Sequence, residues 1–425
     1  QSCPEMYTAA VVTRPLAPAL VCFLACQPAS DVSTPPESAA LPSASESRAS
    51  FVQADGHRFV LGGEDHVVVG TNFWAGMNLG SAGPGGDRER LERELDRLAA
   101  LGINNIRVMA ASEGPNDAPY RITPALMTAP GEYDAKVFEG LDYLLTAASK
   151  RDIKVVMVLN NFWEWSGGMA QYVAWAEGTV IPYPAEHVWT DFTAYASRFY
   201  ACEECQAAFR AHIKTLVERT NSISGVAYRD DPTIFAWELA NEPRLYPDAW
   251  IDETAAYIDG LDPFHMITTG SEGEVGGAFV PTHDGEHIDY ACAHLWPQNW
   301  EWYDPKDPAT LEPGLSEALA YIEKHVADSE AMSKPLVLEE FGLARDFEPL
   351  NDPYDPKSPT TARDRFYGAV FDAVTRSVGA NRPLRGFNFW AWGGEARPPG
   401  PWLGDPPHEK PGWYSVYDQD QSTLD

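Results

Sequence analysis

Repetition is the feature that most constrains how this chain can fold. Eight short runs rich in β-branched and aromatic residues recur along it: HVVVGTNFW at 66–74, NNIRVMA at 104–110, KVVMVLNN at 154–161, TIFAWELANEP at 233–243, HMITTGSEG at 265–273, IDYACAHLW at 288–296, PLVLEEFG at 335–342 and LRGFNFWAW at 384–392. Between them lie stretches such as DRERLERELDRLAALG, FEGLDYLLTAASKRD, AAFRAHIKTLVERT and LSEALAYIEKHVADSEA, whose leucines and alanines return every three or four residues, the spacing of one helix face. Strands alternating with amphipathic helices form βα units around a parallel sheet. Eight of them predict a closed (β/α)8 TIM barrel, an α/β fold that 425 residues can fill.

In such a barrel the chemistry sits at the C-terminal strand ends, where the βα loops surround a mouth. TIFAWELANEPR begins as a buried strand and ends on Asn241 and Glu242; PLVLEEFG ends on Glu339 and Glu340, IDYACAHLW delivers His294, and NNIRVMA delivers Arg107. A single buried Glu at a strand end can be a satisfied structural carboxylate. Polar groups on four strands facing one mouth are hard to explain by stability. Two Glu residues on opposite strands are the minimum for breaking a glycosidic bond: Glu242 as proton donor and Glu340 as nucleophile, with the roughly 5 Å separation of a retaining mechanism. If donors such as Arg107 hold Glu340 ionised, its charge raises the pKa of Glu242. Asn241 is expected on the sugar 2-hydroxyl and Trp390 as a stacking floor. Strand alternation lets only one of Glu339 and Glu340 face the mouth, and it separates Asn241 from Glu242 unless that strand end is irregular.

Composition narrows the partners. With 31 Lys+Arg against 62 Asp+Glu, the net charge of −31 repels phosphate backbones and excludes nucleic acid as a natural partner. Aromatic residues make up 12% of the chain and cluster beside polar ones in NNFWEWSGG, HLWPQNWEWY and FWAWGGE, where indole faces can stack on sugar rings. Residues 1–26, with the apolar run LAPALVCFLAC at 16–26, read as a secretory segment, or as a lipoprotein-like one in which Cys26 carries a lipid anchor, so the protein is expected to be secreted or held at the cell envelope. Residues 27–50, rich in Pro, Ser and Ala, read as a flexible tether, and 51–425 as a monomeric catalytic barrel. CEEC at 202–205 is read as one local disulfide or as free thiols, with Cys292 left over. No metal site is expected: HDGEH at 283–287 carries two His residues, but Gly285 between them suggests a loop.

GVAYRDDPTIFAWELANEPR, NNFWEWSGGMAQYVAW, HLWPQNW, KPLVLEEFG and FNFWAWGGEARP resemble the endo-β-1,4-mannanases of glycoside hydrolase family five, over about residues 70–395. The resemblance implies a (β/α)8 barrel, a retaining mechanism, no cofactor, and a polysaccharide substrate: mannan, glucomannan or galactomannan. It places the acid/base on Glu242 and the nucleophile on Glu340, and it matches Arg107, Asn241, His294 and Trp390 to substrate-site positions. Asn160 or Asn161 stands at a third-strand position that often lines the site, with Trp163 close enough to join a subsite. One departure is Trp296, where the family often has a Tyr whose hydroxyl bonds the nucleophile; an indole can donate but not accept. Two alternatives stand beside this reading: an endo-β-1,4-glucanase on the same barrel, and a non-catalytic glycan-binding surface protein.

Overall fold

A computed structural model describes residues 49–273, 278–347 and 352–425. The expected leader and lipid-anchor site at Cys26, and nearly all of the expected tether, lie outside the described residues. All eight predicted runs form strands: β1 (Val68–Asn72), β2 (Asn105–Met109), β3 (Lys154–Val158), β4 (Ile234–Glu238), β5 (Met266–Thr268), β6 (Ala291–Leu295), β7 (Leu336–Phe341) and β8 (Leu384–Phe389). Their order in the sheet is β5-β4-β3-β2-β1-β8-β7-β6, with every pairing parallel. Between β5 and β6 the cylinder is bridged by Asp289 N–H to the Ile267 carbonyl at 2.9 Å and Thr268 Oγ1 to the Tyr290 carbonyl at 3.1 Å.

Each of the first seven strands is followed by a barrel helix, α1 (Arg88–Ala100), α2 (Ala135–Ser149), α3 (Glu203–Val217), α4 (Asp248–Asp259), α5 (Phe279–His283), α6 (Leu311–Met332) and α7 (Thr361–Gly379), with further helices at Gly76–Leu79, Gly168–Glu177 and Trp189–Ala196 in the βα loops. Local sequence explains their starts. Asp87 accepts the Arg90 N–H at 2.9 Å to cap α1, and Asp134 accepts the Lys136 N–H at 2.8 Å to cap α2. Leu91, Leu95 and Leu98 form the buried stripe of α1. Among the described residues β8 is followed not by a full barrel helix but by a loop region, a short pairing of Trp392–Gly394 with Val416–Tyr417, and the one-turn helix Gln421–Leu424. That region folds back over the mouth, as the site below shows.

Two cores result. Side chains on the outer strand faces pack against the helices, while Val68, Val156, Ala236, Met266, Cys292 and Val337, from six different strands, meet in one cluster that only the barrel lumen can hold. A three-stranded meander (Gln53–Asp55, Arg58–Leu61, Glu64–His66) closes the lumen from below: Phe59 is fully buried, 5.3 Å from the Phe235 ring and 5.4 Å from that of Tyr290.

Cys202 and Cys205 are joined in a disulfide, and Cys292 is a buried free thiol. His283 ends α5 with its ring on Thr269, while His287 pairs with Asp259, so HDGEH brings no two imidazoles together. No helix among the described residues is long and apolar enough to cross a membrane.

Candidate active site

At the mouth, four strands deliver polar side chains to one point. Arg107 projects from β2, is almost fully buried, and spends its guanidinium on four neighbours: Nε and Nη2 reach the Glu238 carboxylate at 2.7 and 2.5 Å, Nη1 reaches Asn72 Oδ1 at 2.9 Å and Glu340, and Nη2 reaches Asn241 Oδ1 at 2.8 Å. A guanidinium suits this position because five donors in a rigid fork can satisfy several acceptors at once. It also neutralises Glu238, which would otherwise be an unpaired buried charge.

Glu340 reaches this point through an irregularity. Leu336 and Leu338 face the outer core and Val337 the lumen, so strict alternation would send Glu340 outward with the leucines. The pairing of β7 with β6 slips between Leu338 and Glu340, opposite Ala293 and His294, and the slip turns Glu340 into the mouth. Glu339 stays on the lumen side, where the Tyr290 hydroxyl donates to it at 2.9 Å; burial, then the charge of Glu238, pushes its carboxyl up to about 8. The fourth strand is irregular as well. Regular structure ends at Glu238, Asn241 makes an isolated bridge with Asn161, and Glu242 adopts a left-handed backbone with φ 48°, uncommon outside glycine. This turn presents Asn241 and Glu242 to the same space, as the sequence requires of an irregular end.

Glu242 is gripped from two sides. His294 Nδ1 donates to Oε1 at 2.7 Å and Trp163 Nε1 to Oε2 at 2.6 Å. The same His294 nitrogen lies 3.3 Å from Glu340, and one oxygen each of Glu242 and Glu340 lies within 4.8 Å of the other and of His294. These three donors could enclose a cation, but their hydrogen bonds to each other and to Arg107 and Trp163 account for the arrangement.

The charges are not divided as the sequence suggests. Burial by itself would raise Glu242, yet the His294 hydrogen bond and charge, Arg244 and the Trp163 N–H outweigh it and hold the carboxyl down to about 2. Burial pushes Glu340 well above the usual carboxylate range; Arg107 opposes the rise, and the charges of Glu242 and Glu238 add to it. Two carboxyls this close share one proton, and these contacts favour it on Glu340. The expectation of an ionised Glu340 beside a raised Glu242 is corrected on this point. The reason is that Glu242 has two strong donors of its own, and Arg107 is divided among four acceptors.

The pair opens into a cleft of about 580 Å³ whose walls include Trp163, Asn241, Trp296 and Trp390 from the sequence-derived set. Arg107, His294, Asn160 and Asn161 are set back from the walls, each at most 3% exposed. Asn161 Oδ1 accepts from Asn241 Nδ2 at 3.1 Å and from the Trp163 N–H at 3.0 Å, so it orients two wall residues from behind; Asn160 Oδ1 accepts the Asn161 N–H at 2.8 Å. Trp163 carries Arg244 over its ring at 4.7 Å, which gives it an electrostatic place in the wall besides its bond to Glu242. Trp296 packs edge-on to Trp390 at 6.1 Å and against Tyr414 at 5.2 Å, and Glu340 draws its contacts from Arg107 and His294 in place of a tyrosine.

Several wall residues escaped the sequence reading: Arg244, Glu272, Trp165, Trp189, His408 and Glu409. Glu272 ends the fifth run, so the strand-end signal that found Glu242 could have found it; burial and then the charge of Glu242 raise it well above the usual range, against its partner Arg244. His408 and Glu409 had no such signal, because they reach the cleft from the region after β8, where His408 stacks with Trp165 at 6.4 Å.

A parallel eight-stranded barrel with two carboxyls and clustered, edge-packed tryptophans at its mouth defines a carbohydrate-active hydrolase of the (β/α)8 class. Comparison with known proteins carries this further. The model for glycoside hydrolase family 5, β-mannosidase-like, matches residues 49–425, and the chain belongs to that family. It is 32% identical over 367 residues to mannan endo-1,4-beta-mannosidase 1 of Oryza sativa subsp. japonica, covering 80% of this chain and 78% of the relative. It is 30% identical over 379 residues to mannan endo-1,4-beta-mannosidase 2 of Arabidopsis thaliana, covering 81% and 79%. The crystal structure of a glycoside hydrolase family 5 mannosidase from Rhizomucor miehei superposes with a TM-score of 0.85 at 42% identity, over 89% of this chain and 95% of that one. A variant of that mannosidase has been crystallised with mannosyl-fructose.

Proposed function

We propose that the protein hydrolyses internal β-1,4-mannosidic bonds of mannan, glucomannan or galactomannan with retention of configuration. The observation that carries this reading is the approach of Glu242 and Glu340 to within 4.8 Å at the floor of an aromatic cleft, the spacing of a double displacement. Glu340 is the nucleophile, aligned by Arg107; Glu242 protonates the leaving oxygen and then acts as base toward water. One proton shared between the two carboxyls supplies the charge state needed. A glycosidic oxygen set against Glu242 favours a donor there, and drawing the proton from Glu340 leaves that carboxylate ionised beside Arg107. Asn241, fixed by Arg107 and Asn161, is placed to bond the 2-hydroxyl, where the contact tightens as the oxocarbenium ion develops. Trp390 is the floor under the reacting sugar.

A second reading is favoured by the β-mannosidase-like description of the family, the Rhizomucor mannosidase, and the wall formed by His408 and Glu409: removal of single mannosyl units from a chain end. One experiment tests both. Mannohexaose is digested in heavy-oxygen water and the products are read by mass spectrometry over time. Early mannobiose, mannotriose and mannotetraose support internal cleavage; stepwise mannose supports the second reading. No hydrolysis, with carboxymethylcellulose degraded instead, would overturn both.

A further inference from the structure

One side chain in the cleft wall has no task in the mechanism above. Trp189 begins the helix Trp189–Ala196, in the long excursion between β3 and α3, and it is 52% exposed. The helix turns Phe192, Tyr195 and Ala196 into the core, while Trp189 and Thr193, four residues apart and so on one helix face, both line the cleft. A tryptophan held half-bare on a well-packed helix marks a contact surface when it is continuous with a binding cleft.

Its side of the cleft can be assigned, resting on the proposal that Glu242 is the proton donor. The leaving oxygen must then lie against Glu242, and what lies beyond Glu242 receives the leaving group. Trp163 bonds Glu242 at 2.6 Å, and Trp189 stands edge-on to Trp163 with ring centroids 5.4 Å apart and planes at 84°. Arg244, over Trp163, and its partner Glu272 fill the space beside them. The other aromatic group, Trp165, Trp296 and Trp390, gathers around the Glu340 side, with Trp165 and Trp296 each packed on Trp390 at 6.3 and 6.1 Å.

We propose that Trp189 with Thr193 is an outlying platform on the leaving-group side that stacks a further β-1,4-linked hexopyranose unit of the chain. The edge-on relation to Trp163 leaves an indole face for the C–H face of a sugar ring, and Thr193 offers a hydroxyl beside it. A stacking contact reads the ring face and not the orientation of the 2-hydroxyl, so the platform accepts a mannosyl or a glucosyl unit. Discrimination at C2 falls to the reacting subsite.

Trp189→Ala and Trp189→Phe are compared with wild type on mannotriose and mannohexaose. The expected result is a fall in kcat/KM on mannohexaose of about 10-fold for Trp189→Ala, carried by KM and equivalent to about 1.4 kcal/mol, against less than ~3-fold on mannotriose, with most of the loss recovered in Trp189→Phe. Equal falls at both lengths, or none at either, overturn the platform. If wild type hydrolyses neither substrate, the functional reading has failed, and titration calorimetry of mannohexaose and cellohexaose onto wild type and Trp189→Ala decides the platform separately. Weaker binding of both sugars by the variant supports it, and unchanged binding overturns it.

Discussion

Arg107→Lys separates electrostatic support of the proposed nucleophile from simple positioning. The native guanidinium donates to Glu238 twice, to Asn72, to Asn241 and to Glu340. A lysine keeps the charge but offers three donors from one point, so it cannot hold the Glu238 carboxylate and Glu340 in the same geometry. A hydrogen bond to a charged group is worth about 1.5–3 kcal/mol, so its loss costs about 10–100-fold in kcat/KM. The working state holds one proton between the two carboxyls, and that proton is lost as pH rises through the Glu340 pKa, which burial holds above the usual carboxylate range against the pull of Arg107. Weakening the Arg107 contact raises that pKa further, so the alkaline limb of kcat/KM on mannohexaose should move to higher pH. The acid limb, where Glu242 takes up a second proton, should move less. A thermal melt of the variant establishes that the barrel is intact, and Arg107→Met, which lacks the charge altogether, should shift the alkaline limb further. A uniform drop with an unmoved alkaline limb would refute the electrostatic argument, and wild-type activity would refute the assignment of Glu340.

Three further predictions concern other parts of the molecule. The 4.8 Å approach of the carboxyls predicts that the first-formed reducing end is the β-anomer, seen by proton NMR before mutarotation; an initial α-anomer would sink the retaining mechanism. Glu113 is fully buried, accepts the Gly168 N–H at 2.8 Å, and is pushed up to about 8 by burial against that bond and Arg121. Unfolded, it ionises near 4.5, so between pH 4.5 and 8 the native state holds a proton that the unfolded state has released, and stability falls with rising pH across that window. Glu113→Gln removes this slope and should gain stability over wild type from pH 5 to pH 8, toward an upper bound of about 5 kcal/mol, in urea titrations at the two pH values; parallel curves would contradict it. The Cys202–Cys205 disulfide closes a loop with a sequence separation of only 3, so Cys202→Ser should cost at most about 2 kcal/mol and leave kcat unchanged, checked by melting and by turnover.

The barrel was legible in the sequence because it depends on period. A strand buried on both faces and a helix buried on one each leave an apolar pattern that survives without coordinates, and all eight runs became strands. Glu242, Glu340, Asn241 and His294 were legible for a related reason: a polar residue at the end of an apolar strand run has few places to go except the mouth, and Arg107 was legible as a lone cation inside such a run. Glu272, near the end of the fifth run, carries the same signal. Chain periodicity also determined what could not be told, since alternation by itself leaves Glu339 and Glu340 equivalent. Only tertiary structure decided between them, through the register slip opposite His294 and the left-handed turn at Glu242.

The charge state of the pair belongs to the tertiary structure too. It depends on how many donors each carboxyl can claim, and Trp163, Arg244 and His294 come to Glu242 from three different loops or strands. His408 and Glu409 enter the cleft from a segment without periodic signature. Sequence alone determined the cylinder and which residues crown it, because burial is written in local pattern. The direction each crown residue faces, the proton they share and the far wall of the cleft came from contacts between segments distant in the chain, which no local pattern encodes.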